Sequence, residues 1–396
     1  FAWRGLTLDV ARHFIDVASL LRTLDGMAVC KLNVLHLHLS DDQAFRFPSQ
    51  AYPRLASTPA YSRDDLVRVV AYAAERGIRV VPELDVPGHT TCWLTAYPEW
   101  GCRPAEPSRR FGVHRACLDP TRPAVLEAVR TLFTELADVF PDACLHFGGD
   151  EVHPDWWSTT PAVQSFMGAQ GLATAHDLQA WFNRAVVAHI VALGRRPLGW
   201  DEVLHPDLPA TVAVQCWRGA TARDRALRGG HDTIVSANYY LDLFYPADLH
   251  YGFDPAAPRA DLLAREDAIE TDPRLAHVAG GLRWTRQWRE VGERPTRGDA
   301  PGRLLGASAC LWAELVDADT LDVRLWSRLP ALAERFWSPA SLLDAADLRR
   351  RLDACFELLR RLTAIDVFGT SRALIERAGV TEAWWPLVDQ LEPVKW

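Results

Sequence analysis

No apolar run in this 396-residue chain reaches the roughly 20 residues that a membrane-crossing helix needs, so no membrane span is expected. Clustered positive charge is missing too. The net charge is −8, the wrong sign for a surface that binds nucleic acid. Lysine is nearly absent, with only Lys31 and Lys395, and arginine takes its place. That pattern fits genomic codon bias, and no function follows from it. None of the eight cysteines forms a CxxC pair, and their spacings match no structural zinc site, so zinc is not expected; no motif calls for a cofactor, and none is expected. Cys30, Cys144, Cys216 and Cys310 sit in apolar segments and read as packed thiols. Cys92, Cys102 and Cys117 share one long loop region and could include a disulfide, of open pairing, if the protein is exported. The chain opens at Phe1 with neither an initiator Met nor a charged-then-apolar leader, and reads as a mature or trimmed polypeptide.

What the chain does have is a soluble, globular balance, 48% hydrophobic and 24% charged, with no repeat or low-complexity linker to divide it. Short β-rich segments alternate with helix-period segments. Strands are expected near Leu6–Val10, Leu32–Leu39, Ile78–Leu84, Ala143–Phe147, Pro197–Trp200, Thr211–Gln215, Thr233–Ser236 and Leu304–Cys310. Eight is the number that closes a (β/α)₈ barrel. Ser62 and Asp65 form a capping-box start to a helix that stops at Gly77. Further helices are expected over Pro123–Val139, Ala175–Leu193 and Ala220–Leu227, with a final pair around Val323–Trp337 and Ala346–Leu362. The connection from Asn238 to about Arg303 is too long for an ordinary loop and reads as a structured insertion after strand 7, over the barrel mouth. One α/β domain results: a TIM barrel over about residues 4–339 with a helical C-terminal tail over 340–396.

The most informative segment is His146-Phe147-Gly148-Gly149-Asp150-Glu151-Val152. Successive side chains on a strand point to opposite faces, so Asp150 and Glu151 can reach one site only if the strand has ended or bent between them. Gly148 and Gly149 make that bend easy. Other unusual side chains also follow strands: Arg12 the first, Asp41 and Asp42 the second, Asp85 and His89 the third. Trp200, Trp217, Tyr240, Asp242, Trp312 and Glu314 continue the pattern. In a barrel all of them lie on the C-terminal rim, where active sites are built.

These residues carry a resemblance. The segments Leu8–Phe14, His36–Gln43, Pro82–His89, His146–Val152, Gly199–Glu202, Tyr240–Asp242 and Leu311–Glu314 resemble, in order and spacing, the β-N-acetylhexosaminidases of glycoside hydrolase family 20. The resemblance runs from about Arg4 to about Pro339. It implies an exo-glycosidase acting on glycans with a terminal β-linked N-acetylhexosamine, by a substrate-assisted mechanism. Glu151 would be the general acid and then the base, and Asp150 would hold the substrate's acetamido N–H. Arg12, Asp242 and Glu314 would take sugar hydroxyls, with Glu314 also pairing with Arg12. Trp200, Trp217 and Trp312 would wall the sugar and its acetyl methyl, and Tyr240 would donate to the acetamido carbonyl. His89, oriented by Asp41, would stand in the shell around the acid pair, with Asp85 nearby. The family's usual small N-terminal α/β domain is expected to be absent or cut away, and a secreted, periplasmic or lysosome-like compartment is expected over the cytoplasm.

Plainer readings stand beside these. Asp9 reads as a strand-fixing residue, and Asp201 and Glu202 as solvated or structural. The rival enzyme class is a metal-dependent barrel hydrolase, since His36 and His38 share one strand face, but Trp200 and Gln215-Cys216-Trp217 occupy the places where its further His ligands would stand. His36 and His38 therefore read as hydrogen-bonding groups inside the barrel. A non-catalytic sugar-binding protein is the second rival, with no reason to keep both Asp150 and Glu151.

Overall fold

The computed structural model describes residues 1–278 and 301–381. Eight parallel strands close on themselves in chain order: β1 (Trp3–Asp9), β2 (Val34–His38), β3 (Arg79–Glu83), β4 (Cys144–His146), β5 (Arg196–Trp200), β6 (Ala213–Cys216), β7 (Thr233–Val235) and β8 (Leu304–Leu311). β8 returns to pair with β1, Leu6 opposite Ala309, so the sheet has no free edge. β1 starts three residues earlier than its apolar pattern predicts. Arg4 and Gly5 are poor strand formers alone, yet the ladder to Ala307 and Ser308 recruits them.

Inward and outward residues alternate along each strand. Trp3, Val34, Val81, Cys144, Leu198, Ala213 and Ile234 form an apolar cluster of their own inside the barrel, at the N-terminal end of the strands. Two residues further along, the inward set turns polar: His36, Glu83, His146, Gln215, Ser236 and Ser308 are all buried, with Trp200 among them. The outward faces join the large core beneath the helices.

The helices follow from local signals. Ser62 and Asp65 close a capping box at the start of the helix Arg63–Ala74, and the chain leaves through Gly77 at φ +67°. Pro123–Val139, Ala175–Ala192 and Ala220–Arg228 match their expected spans within a residue. The single helix expected over Val323–Trp337 is instead two, Leu321–Trp326 and Leu329–Trp337. Pro330 explains the break: it lacks an N–H and crowds the residue before it, so it starts a helix better than it continues one.

Between β7 and β8 lie the helices Ala247–Gly252 and Arg259–Ile269. Glu266 Oε1 accepts the Ala220 N–H and Arg223 donates to the carbonyls of Pro255 and Ala257, which fastens this connection to the helix after β6. The expected cover over the mouth falls partly on residues 279–300, outside the described residues. Beyond the barrel, the helices Leu348–Leu362 and Val367–Arg377 precede residues 382–396, also outside the described set. No helix among the described residues is long and apolar enough to cross a membrane.

Candidate active site

β4 ends at His146, and the chain then turns through Gly148 (φ +67°) and Gly149 (φ +92°). A Cβ on Gly148 would lie 1.8 Å from Asp85 Oδ1, so no other residue fits there. The turn is pinned on three sides. Asp85 Oδ1 accepts the Gly149 N–H at 2.9 Å, Gln179 Nε2 donates to the Gly149 carbonyl at 2.8 Å, and the Trp200 N–H reaches the Gly148 carbonyl at 2.9 Å. Asp150 and Glu151 thereby leave the strand alternation, Glu151 itself taking the left-handed φ of +51°. Both then face one partner. His89 Nε2 lies 3.8 Å from Asp150 Oδ2 and 3.5 Å from Glu151 Oε2, as the bend at the glycines requires. Glu151 is the more accessible of the pair, its side chain 23% exposed against 11% for Asp150.

Behind this pair runs a chain of alternating charges. His89 Nδ1 is 3.3 Å from Asp41 Oδ1 and 3.5 Å from Asp42 Oδ2. Asp41 Oδ2 also accepts from His38 Nε2 at 2.9 Å and pairs with Arg12 Nη2 at 2.9 Å. His38 Nδ1 in turn donates to Glu83 Oε2 at 2.7 Å. With a carboxylate on each ring nitrogen, His38 carries both protons. Burial opposes its charge, but Glu83 and Asp41 raise its pKa well above the ordinary imidazole value. Burial would likewise raise Asp41, and Arg12, His89 and His38 overcome it and hold the carboxyl well below its usual range. Glu83 accepts from a second side, the indole N–H of Trp200 at 2.8 Å. His36, by contrast, is pushed down to about 4 by burial and is neutral.

Asp85 and Asp150 are the exceptions to this pairing of opposites. Burial comes first, and their mutual repulsion adds to it at Asp150, whose pKa stands well above the carboxylate range, while Asp85 is raised to about 7. Asp85 Oδ2 and Asp150 Oδ1 are both buried without a donor. A proton shared between the two carboxyls would relieve both the repulsion and the missing donor.

Aromatic rings complete the wall. Trp217 and Tyr240 lie nearly parallel with ring centroids 6.3 Å apart, Tyr240 meets Trp312 at 6.1 Å, and Trp312 meets Trp200 at 5.8 Å. The Arg12 guanidinium lies 5.2 Å from the Trp312 ring centroid. Its ion pairs are with Asp41 and Asp9, not with Glu314 as expected; Glu314 acts on it as a nearby charge. Glu314 itself is raised to about 7 by burial, Arg12 opposing and Asp242 adding to the rise, so Asp242 belongs to the same electrostatic group. Asp9 also accepts the N–H groups of Ala11, Arg12 and Ala313, tying β1 to the end of β8.

Two residues read as plain from sequence have larger parts. Asp201 is buried, not solvated; it accepts the backbone N–H groups of Trp217 and Arg218 and the Arg218 side chain, and so positions Trp217. Glu202 is raised to about 8 by burial, against Arg218, with Asp150 and Glu151 contributing like charge. Its place two residues after Trp200, next to Asp201, was the available signal. The most metal-like group outside the rim is His36, Glu83 and His146, whose ligand atoms lie within 4.8 Å of one another. Glu83 there already receives His38 and Trp200, which makes it a hydrogen-bonding hub. All eight cysteines are free thiols, including Cys92, Cys102 and Cys117.

The model of the glycosyl hydrolase family 20 catalytic domain matches residues 1–340. The chain is 31% identical over 377 residues to the β-hexosaminidase subunit beta of Entamoeba histolytica, covering 90% of this chain and 63% of that protein. It is 32% identical over 367 residues to the human β-hexosaminidase subunit beta, covering 89% and 59% respectively. Among solved structures, the chitobiase of Flavobacterium johnsoniae superposes with a TM-score of 0.81 at 34% identity, over 94% of this chain and 53% of that one. The chain thus spans about half to two thirds of the length of these relatives. With the barrel, the paired acids on the β4 turn and the aromatic wall in place, the chain belongs to glycosyl hydrolase family 20 as a catalytic domain.

Proposed function

We propose that this barrel removes terminal, non-reducing β-linked N-acetylglucosamine or N-acetylgalactosamine from glycans, with retention, by substrate-assisted catalysis. The observation that carries the reading is the β4 turn, which brings a more accessible acid, Glu151, and a buried one, Asp150, onto one histidine beside the closely set Trp217 and Tyr240 rings. Glu151 donates its proton to the glycosidic oxygen as the bond to the anomeric carbon breaks. The substrate's own acetamido carbonyl oxygen attacks that carbon and forms a cyclic oxazolinium ion. Glu151, now a carboxylate, takes a proton from water, whose oxygen opens the ring from the side the aglycone left.

Asp150 orients the acetamide. As the acetamido N–H comes to donate to Asp150, the proton between Asp150 and Asp85 settles on Asp85, leaving Asp150 as the anion that stabilises charge developing on the nitrogen. Trp200, Trp217 and Trp312 enclose the sugar and its methyl, Tyr240 donates to the acetamido oxygen, and Arg12, Asp242 and Glu314 hold hydroxyls. A sugar-binding protein without catalysis would gain nothing from burying Asp150 against its ionisation beside a second, more accessible acid.

The test uses two compounds. A thiazoline analogue of N-acetylglucosamine, which mimics the cyclic intermediate, should inhibit strongly. 4-Nitrophenyl β-glucoside, which lacks the acetamide, should hardly react when the N-acetyl substrate turns over. Comparable rates on the two would mean a protein nucleophile and sink the mechanism.

A further inference from the structure

The tail helix Leu348–Leu362 presents Leu348, Leu352, Cys355 and Leu359 at helical spacing along one stripe; the three leucines are buried, and Cys355 packs partly buried against the core. Opposite it, the helix Val17–Val29 ends at Cys30, whose backbone N–H closes onto the Gly26 and Ala28 carbonyls. Cys30 also packs partly buried against that core. The two sulfurs meet at 3.8 Å, across 325 residues of sequence. Both are free thiols, and neither belongs to the rim. In a parallel barrel each helix runs back from the C-terminal rim, so Cys30, at the end of the first, lies at the opposite end of the molecule from Asp150 and Glu151.

We infer that Cys30 and Cys355 are a site of reversible covalent modification, a disulfide that fastens the C-terminal helix to the first helix of the barrel. Closing the bond shortens the observed 3.8 Å sulfur separation to about 2.05 Å. The hydrogen bond between the thiols sets their order of reaction. It pushes the Cys30 thiol up and pulls the Cys355 thiol down, so Cys355 ionises first. With a small disulfide such as oxidised glutathione as oxidant, the Cys355 thiolate attacks one of its sulfurs and releases one glutathione thiolate. Cys30 then loses its proton and attacks Cys355 Sγ, releasing the second glutathione. Two protein thiols are oxidised and one small disulfide is reduced to two thiols.

Several contacts make this joint the natural place for a cross-link. Gly26 is required where it stands, because a Cβ there would lie 2.3 Å from the Trp326 ring and 2.7 Å from Ile365 Cδ1, so the first helix and the segments flanking the tail are already in close packing. Arg351, one turn before Cys355, pairs with Glu334 of the helix Leu329–Trp337 at 2.8 Å. The first helix and the tail helix are thus each fixed against neighbouring segments, Gly26 against Trp326 and Ile365 and Arg351 against Glu334. The bond would close nearly the whole chain into one loop, and long loops lose the most unfolded-state entropy when closed.

The experiment equilibrates the purified full chain in oxidised and reduced glutathione, blocks free thiols by alkylation, and maps linked peptides by mass spectrometry. The Cys30–Cys355 peptide should dominate the cross-links, vanish with dithiothreitol, and be absent from Cys355→Ser and Cys30→Ser. The oxidised chain should melt about 5 °C above the reduced one, and the difference should disappear in Cys355→Ser. A glutathione adduct that stays on Cys355, or a cross-link to any other cysteine, would overturn the assignment. A Cys30–Cys355 bond that leaves the melting temperature unchanged would overturn the fastening role. The mapping uses the unaltered chain, so the first two outcomes do not depend on how well either variant folds.

Discussion

Glu83 accepts the indole N–H of Trp200 at 2.8 Å while its other oxygen takes His38 Nδ1 at 2.7 Å, so one buried carboxylate inside the barrel anchors both the aromatic wall and the charge chain behind the acid pair. Removing it leaves the His38 cation with one carboxylate instead of two and the indole without an acceptor. Glu83→Ala should therefore cost about 3–5 kcal/mol of stability, the range for breaking one side of a buried pair. Urea unfolding of the two proteins measures it. A loss below about 1 kcal/mol would mean that His38 and Trp200 find other partners.

Glu151→Gln replaces the proposed proton donor with an amide of the same shape. Hydrolysis of alkyl or oligosaccharide aglycones should fall by roughly 10²–10⁴-fold, the usual worth of general acid catalysis. Nitrophenyl leaving groups need less protonation and should suffer less. Equal losses on both, in a variant that circular dichroism finds folded, would remove Glu151 from the acid role.

Asp150→Asn keeps size and some hydrogen bonding but removes the anion. kcat should drop by roughly two orders of magnitude, comparable to losing one preorganised electrostatic contact, with KM changing much less. Steady-state kinetics on 4-nitrophenyl N-acetyl-β-glucosaminide decides it. A loss confined to KM would make Asp150 a binding group only.

Stability should decline between pH 7 and pH 9. Asp85 and Glu314 are raised to about 7 and Glu202 to about 8, against roughly 4 for carboxyls in an unfolded chain. The folded protein thus keeps protons that the unfolded chain has already lost, and that advantage disappears as pH rises through the folded values. His38 and His89, both raised, act in the same direction. His36, lowered to about 4, acts oppositely but is settled below pH 7, where the unfolded imidazole also becomes neutral. Tm by calorimetry should be lower at pH 9 than at pH 7, and Glu202→Gln should narrow the gap. A higher Tm at pH 9 would contradict the assigned directions.

Much of this was legible in the sequence because its signals were local. Gly148 and Gly149 announced the turn that frees Asp150 and Glu151 from strand alternation, and the two φ values agree. Trp200, Trp217, Tyr240 and Trp312 followed strands, and barrel closure brought them together. Glu83 was not legible as a hub. Its partners come from β2 and β5, and nothing along the chain joins them until the sheet closes. The inward parity of His36, His38, Glu83 and His146 was the trace it left. Pairing of Arg12 with Glu314 was misjudged because Asp41, three residues past the end of β2, reaches the same guanidinium first.

The apolar cluster of Trp3, Val34, Val81, Cys144, Leu198, Ala213 and Ile234 has a consequence for proton traffic. It sets a layer of apolar side chains between the N-terminal end of the strands and the buried polar set of His36, Glu83, His146, Gln215 and Ser236. On the proposed function, a sugar seated among the tryptophans would cover the other end. The buried acids would then lie between apolar walls at both ends, and the proton given to a departing aglycone would be restored by water arriving from the rim side.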